Sequence, residues 1–269
     1  MSPVSAEVGV FGGSGFYSFL DDVVEVSVHT PYGPPSAPVA VGTVDGRRVA
    51  FLPRHGVHHE LPPHRVDFRA NVWAMGSLGV RRLLGPCAVG SLQPDIHPGD
   101  FVVCDQLVDR TYGRSADTFF DGGVVGHVSF ADPYCPELRP LAVSAARSSG
   151  ITVHEGGTVV VVRGPRFSTR AESSSYRREG WHVINMTQYP EAYLARELGI
   201  CYSGIGLVTD YDTGVSGSDG EAVTMADVFA VLRANVDRTR ALLARLIPLI
   251  PSTPSCSCAS ALDQGPLGR

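Results

Sequence analysis

The chain has no lysine: all 22 of its basic residues are arginine. A Walker-type phosphate loop, which needs a Lys-Ser/Thr step, is therefore excluded. Long apolar runs are missing too; none approaches the roughly 18 residues of a membrane span. The opening "MSPVSAEVGVF" lacks a basic stretch leading into a long apolar one, so no secretory signal is expected and the expected compartment is the cytoplasm. Positive charge is scarce overall. The net charge is −5, and no basic stripe suggests a nucleic-acid partner. No internal repeat or linker divides the chain.

What is present suits one large folded unit. The 269 residues are 43% hydrophobic and 18% charged, a composition that buries a substantial core. Apolar strand-like runs alternate with helical patterns. "EVGVFGG" reads as a strand entering a glycine turn, and "PVAVGTVDGRRVAFLPRHG" as a hairpin turning at Asp45-Gly46. "VDFRANVWAMGSLGV" carries apolar residues at helical spacing and stops at Gly79. "RRLLGPCAVGS", "DFVVCDQ" and "CYSGIGLVTD" read as strands, and "ITVHEGGTVVVVRGP" is β-rich. "CPELRPLAVSAARSSG" reads as a helix with Pro140 in its first turn, "TRAESSSYRREG" opens on a Thr169/Glu172 capping box, and "YPEAYLARELG" is a helix ending at Gly199. Residues 225–248 form an amphipathic helix. This order predicts a single α/β domain on a mixed sheet, spanning 1–250, followed by a flexible small-residue tail over 251–269. Cys87, Cys104, Cys135 and Cys201 stand singly and read as reduced thiols; Cys256-Ser257-Cys258 reads as a reduced pair in the mobile tail.

Taken one by one, the polar clusters leave several readings open. "GVFGGSGF" has neither the dinucleotide nor the Walker spacing. It is a tight turn after a strand, or one that aims backbone N–H groups and Ser14 at an anion. "FLPRHGVHHELPPHR" invites a metal site at His55, His58, His59 and His64, but its prolines forbid the helical zinc motif. Arg54 and His55 at a strand end suit an oxyanion better, and a solvated loop remains a third reading. Phe167 in "GPRFSTRAES" is either a ring for stacking on a flat ligand or a buried anchor beside a helix start. Thr187 in "NMTQYPE" is a candidate helix N-cap. "TDYD" places Asp210 and Asp212 two residues apart at a strand end, where two solvated acids would be the ordinary outcome.

In their order along the chain, "GGSG", "PRHG", "RANVWA", "AVGSL", "PGDFVVCDQLVDRT", "FADPYCPELR", "HEGGTVVVVRGPRFSTRAES", "INMTQYPEAYLARE" and "TDYD" are far more specific than any one of them. The series resembles the 5'-methylthioadenosine phosphorylases of the purine nucleoside phosphorylase superfamily, from about residue 7 to 248. The resemblance implies a single α/β domain with a mixed, partly barrel-like central sheet flanked by helices, assembled as a homotrimer. It implies reversible phosphorolysis of a purine nucleoside, with inorganic phosphate as co-substrate and no metal or organic cofactor. Phosphate-binding positions fall on Ser14, Arg54, His55, Cys87, Ala88 and Thr187. Nucleoside-binding positions fall on Phe167, Ser168, Met186, Asp210, Asp212, His59, His127 and Val223, with His127 reaching a neighbouring subunit's site and Val223 lining an apolar 5' pocket.

The resemblance makes Asp210 and Asp212 the catalytic positions. Cleaving the glycosidic bond leaves negative charge on the base, and a protonated carboxyl at N7 neutralises it. The resemblance gives N7 to Asp210 and the 6-amino group to Asp212, which favours a 6-aminopurine. Two departures stand out: Ser14 and Cys87 replace residues more usual in the family, and "TGVSGSDGEAVT" lacks the Trp that commonly follows the second acid. The competing functions are a phosphorylase for 6-oxopurine nucleosides or another 5'-modified adenosine, and a non-catalytic purine-binding protein on the same scaffold.

Overall fold

The computed structural model describes residues 4–16, 18–20, 23–114, 116–123, 125–213 and 225–262. Val223 lies outside them. The strands in chain order are β1 (Val8–Gly12), β2 (Val24–Val26), β3 (Val39–Val44), β4 (Arg47–Pro53), β5 (Arg82–Ser91), β6 (Phe101–Val103), β7 (Gln106–Arg110), β8 (Val153–Glu155), β9 (Thr158–Val162), β10 (Val183–Asn185) and β11 (Cys201–Tyr211). The helices are α1 (Phe68–Ser77), α2 (Leu138–Ser148), α3 (Arg170–Arg178), α4 (Gln188–Glu197) and α5 (Met225–Leu249). The expected α/β domain on a mixed sheet is what folds.

The sheet forks at β5. Its first residues pair in parallel with β1 on one side and with β11 on the other. Its last two pair antiparallel with β10, which leads on to β9 and β7, while β11 leads on to β6 and β8. A strand with neighbours on both edges and helices on both faces must be apolar throughout. The first nine residues of β11, Cys201 to Thr209, are accordingly all buried.

The two-residue period of the strands divides the core. Leu83 joins Phe11, Leu52, Val72, Met75 and Leu194 on the face covered by α1 and α4. Its neighbour Leu84 joins Val10, Phe51, Val143, Leu242 and Leu246 on the face covered by α2 and α5.

Local signals behave as their chemistry requires. Asp45 and Gly46 both take positive φ, the pair needed for a two-residue hairpin turn. Thr169 accepts from the Glu172 N–H, and the Glu172 carboxylate accepts from the Thr169 N–H, completing the capping box of α3. Pro140 occupies the first turn of α2, where its missing N–H is harmless.

The expected flexible tail is corrected over residues 251–262. Cys258 and Ala261 are buried, and a 3-10 turn runs over Ser257–Ser260. Glu137 holds the segment, accepting from the Ser255 N–H and hydroxyl. The small residues read as polar and unstructured in sequence fit closely against Cys135 and Cys201, contacts that no local pattern announces.

Candidate active site

β5 serves as the ruler of the site. Gly13, just beyond β1, passes so close to Pro86 and Cys87 that a Cβ there would lie 3.0 Å from the Pro86 carbonyl and 3.4 Å from Arg54 Nη1. Three residues along β5, a Cβ on Gly90 would lie 3.0 Å from Asp210 Oδ1 and 3.3 Å from Asp212 Cβ. The two groups of side chains therefore sit about 10 Å apart along one strand. Between them lies a cavity of about 280 Å³. Ser14, Arg54, His55, His59, Cys87, Ala88, Phe167, Ser168, Met186, Thr187, Asp210 and Asp212 all line it. His127 does not; it is exposed on the surface.

The Arg54 end is rigid. Arg54 is fully buried and makes a bidentate pair with Glu191, through Nε to Oε1 and through Nη2 to Oε2 at 2.9 Å. Tyr202 donates to the same Oε2 at 2.8 Å, and Arg54 Nη1 donates to the Pro86 carbonyl at 3.3 Å. Burial alone would lower the Arg54 pKa; the Glu191 charge and hydrogen bonds outweigh it and hold the guanidinium more firmly protonated than usual. Glu191 is invisible to sequence reasoning as a site residue, since in "YPEAYLARE" it reads as one helix acid among others. Its only local signal is an acid in the first turn of α4.

His55 is nearly buried, and its Nδ1 lies 2.8 Å from the Leu61 carbonyl. A carbonyl only accepts, so Nδ1 carries the proton and the neutral ring keeps a lone pair on Nε2. Burial, with the adjacent Arg54 charge, brings the His55 pKa down to about 4. His59, at positive φ, packs its ring 4.8 Å from that of His55. Among the described residues no group of metal-ligating atoms gathers at His55, His58, His59 and His64, so the histidine metal reading has no geometry behind it.

Cys87 lines the cavity but keeps its thiol occupied. Its S–H points to the Ile205 carbonyl at 3.8 Å, and Sγ accepts from Asn185 Nδ2 and Gln188 Nε2, each at 3.3 Å. Burial pushes its pKa up, so it is a neutral thiol. Thr187 stands at the N-cap of α4, as anticipated, yet its hydroxyl makes no capping bond and the residue lines the cavity. Asn185 also went unnoticed in the sequence; its Oδ1 is buried with no partner among the described residues.

The acidic end is built by a break in pairing. β11 follows β5 residue for residue to Val208, then slips by one at Thr209, so that Asp210 faces Gly90. Thr209 turns its hydroxyl onto Asp210 Oδ2 at 2.6 Å. Asp212 is buried, with Oδ2 lacking a hydrogen-bond partner among the described residues. Burial raises its pKa. Phe167 and Met186 supply the apolar walls. Met186 fits because Gly164, at positive φ, has no side chain to collide with its sulfur.

A cavity with anion-binding donors at one end and a protonable acid at the other can hold a divalent oxyanion and a ring that takes up negative charge. The model of the phosphorylase superfamily matches residues 7–248. A purine nucleoside phosphorylase of Streptomyces coelicolor is 55% identical, covering 96% of this chain and 95% of that protein. An S-methyl-5'-thioadenosine phosphorylase of Thermofilum pendens is 52% identical, covering 96% and 97%. Among solved structures, the methylthioadenosine phosphorylase of Schistosoma mansoni in complex with adenine superposes with a TM-score of 0.90 at 37% identity, covering 96% of each chain.

Proposed function

Because the chain belongs to the phosphorylase superfamily, we propose that it is a pentosyltransferase cleaving 5'-methylthioadenosine with phosphate, to adenine and 5-methylthioribose 1-phosphate. The observation that carries this reading is the pairing, across one cavity, of Arg54, held charged by Glu191, with the two carboxyls of Asp210 and Asp212.

Phosphate binds at the Ser14 turn, with Arg54, His55, Ala88 and Thr187 around it. Arg54 contributes a fixed charge, and its Nη1 lies beside the Gly13 turn. His55 offers Nε2 as an acceptor, suited to the one proton of hydrogen phosphate. Cys87 shapes the pocket with its backbone, since its thiol proton is directed elsewhere.

Phe167 stacks on the purine, and Met186 faces the ribose. Asp210 donates to N7 while Asp212 accepts from the 6-amino group. Charge develops on both halves as the glycosidic bond breaks, negative on the base and positive on the sugar, and phosphate attacks the sugar from the face away from the base. The protein's work is to hold these groups in line and to neutralise the leaving purine. The 5' substituent faces His59, Val223 and, in a homotrimer, His127 of a neighbouring subunit. No residue of this scheme needs an organic cofactor or a metal. Cytoplasmic location fits a chain in which no described helix is long and apolar enough to cross a membrane.

A second reading, a phosphorylase for 6-oxopurine nucleosides, is favoured by the name of the Streptomyces relative. Two carboxyls at the base favour the 6-amino substrate, because a 6-oxo group would face an acceptor instead of a donor. The test of the primary reading is methylthioadenosine turnover with and without phosphate, followed by chromatography. Adenine should form only with phosphate. Tight binding without turnover would leave a purine-binding protein instead.

A further inference from the structure

Four cysteines gather away from this cavity. Cys135 precedes α2, Cys201 opens β11, and Cys256 and Cys258 belong to the C-terminal segment. Their four sulfurs all lie within 4.8 Å of one another, and three of the four residues are buried. Cys256 Sγ is 3.4 Å from Cys201 Sγ and 3.7 Å from Cys135 Sγ, and all four are unlinked. None of them lines the nucleoside cavity.

We propose that Cys135, Cys201, Cys256 and Cys258 form a structural site for one zinc ion, a closed tetrahedron of thiolates that fastens the C-terminal segment to the body. A zinc–sulfur bond of about 2.3 Å in tetrahedral geometry sets neighbouring sulfurs about 3.8 Å apart, close to the spacing seen here. Four thiolates and no oxygen or nitrogen ligand select a thiophilic metal and leave no open position for catalysis.

The surroundings suit the charge. Zinc with four thiolates carries two net negative charges, which outer donors must offset. Arg82 Nη1 donates to Cys201 Sγ at 3.3 Å. Arg82 also holds Glu137 at 2.7 Å, and Glu137 holds Ser255, so the segment bearing the last two ligands is already aligned. Binding releases the four thiol protons to solvent, with no change in oxidation state.

The test uses the full chain, purified in reducing buffer, supplied with one equivalent of zinc and then desalted. Elemental analysis and native mass spectrometry should find one zinc per chain. The Cys256→Ser/Cys258→Ser double variant should lose at least tenfold in bound zinc while keeping phosphorolysis, since neither residue lines the cavity. Should that variant fail to fold, titrating the wild-type chain with a mercurial reagent should release zinc in step with thiol modification. A wild-type chain that retains no zinc, with these thiols free or paired as disulfides, overturns the proposal; so does unchanged zinc content in the double variant.

Discussion

Arg54 and Asp212 are both buried in the wall of one cavity, and they are treated oppositely. Arg54 is given Glu191, a bidentate partner on α4, with Tyr202 fixing that carboxylate in turn. Its charge is locked on. Asp212 has no cationic partner among the described residues, and burial raises its pKa. The same desolvation acts on both side chains; the presence or absence of a counter-charge decides the outcome. Binding a phosphate dianion calls for a group that never loses its charge. Helping a purine to leave calls for acids that can carry a proton.

The largest expected effect removes the acid proposed to protonate N7. Asp210→Asn should lower phosphate-dependent adenine release by about 10² to 10⁴-fold, with an unfolding midpoint close to wild type. Wild-type turnover in that variant would take Asp210 out of the mechanism. Next comes the locked pair. Glu191→Gln leaves Arg54 buried without its counter-charge, and denaturant unfolding should report a loss of about 3–5 kcal/mol. The KM for phosphate should change with it, because Arg54 is no longer held in place.

His55 comes third. Its folded pKa of about 4 lies below the ordinary value, so between about 6.5 and 4 the unfolded chain takes a proton that the folded one refuses. The His55 contribution is complete above that window and falls as the pH drops through it, by about 3 kcal/mol at most. Unfolding of wild type and His55→Gln at pH 7.5 and pH 4.5 should show the wild-type advantage shrinking at the lower pH. The smallest effect has the opposite sign. Asp212 has a raised folded pKa, so its burial costs stability once the pH exceeds the ordinary carboxylate range. Asp212→Asn should be more stable than wild type at neutral pH, and the gain should vanish below that range. A gain that persists in acid would mean that desolvation of the charge is not its cause.

Much of this was legible in the sequence for reasons of range. The hairpin at Asp45-Gly46, the capping box at Thr169 and the stop of α1 near Gly79 rest on neighbours within a few residues, and each formed as read. The residues bordering the cavity were found through motif order, and twelve of the fourteen positions named from the resemblance line it. What escaped depends on contacts between distant segments. Glu191 matters through Arg54, which is 137 positions away, and the Cys87 thiol is turned aside by Asn185 and Gln188 about a hundred positions on. The C-terminal segment looked like a tail because its small residues carry no periodicity. It is held by Glu137 and by four sulfurs from three segments, a convergence that no local spacing encodes.

The measurement that bears most directly on the paired-acid account is a comparison of kcat/KM for methylthioadenosine and methylthioinosine at saturating phosphate. Two carboxyls facing the base, one protonated at N7 and one accepting from the 6-amino group, predict that adenine is released faster than hypoxanthine by about 10² or more. Equal or faster release of hypoxanthine would contradict it.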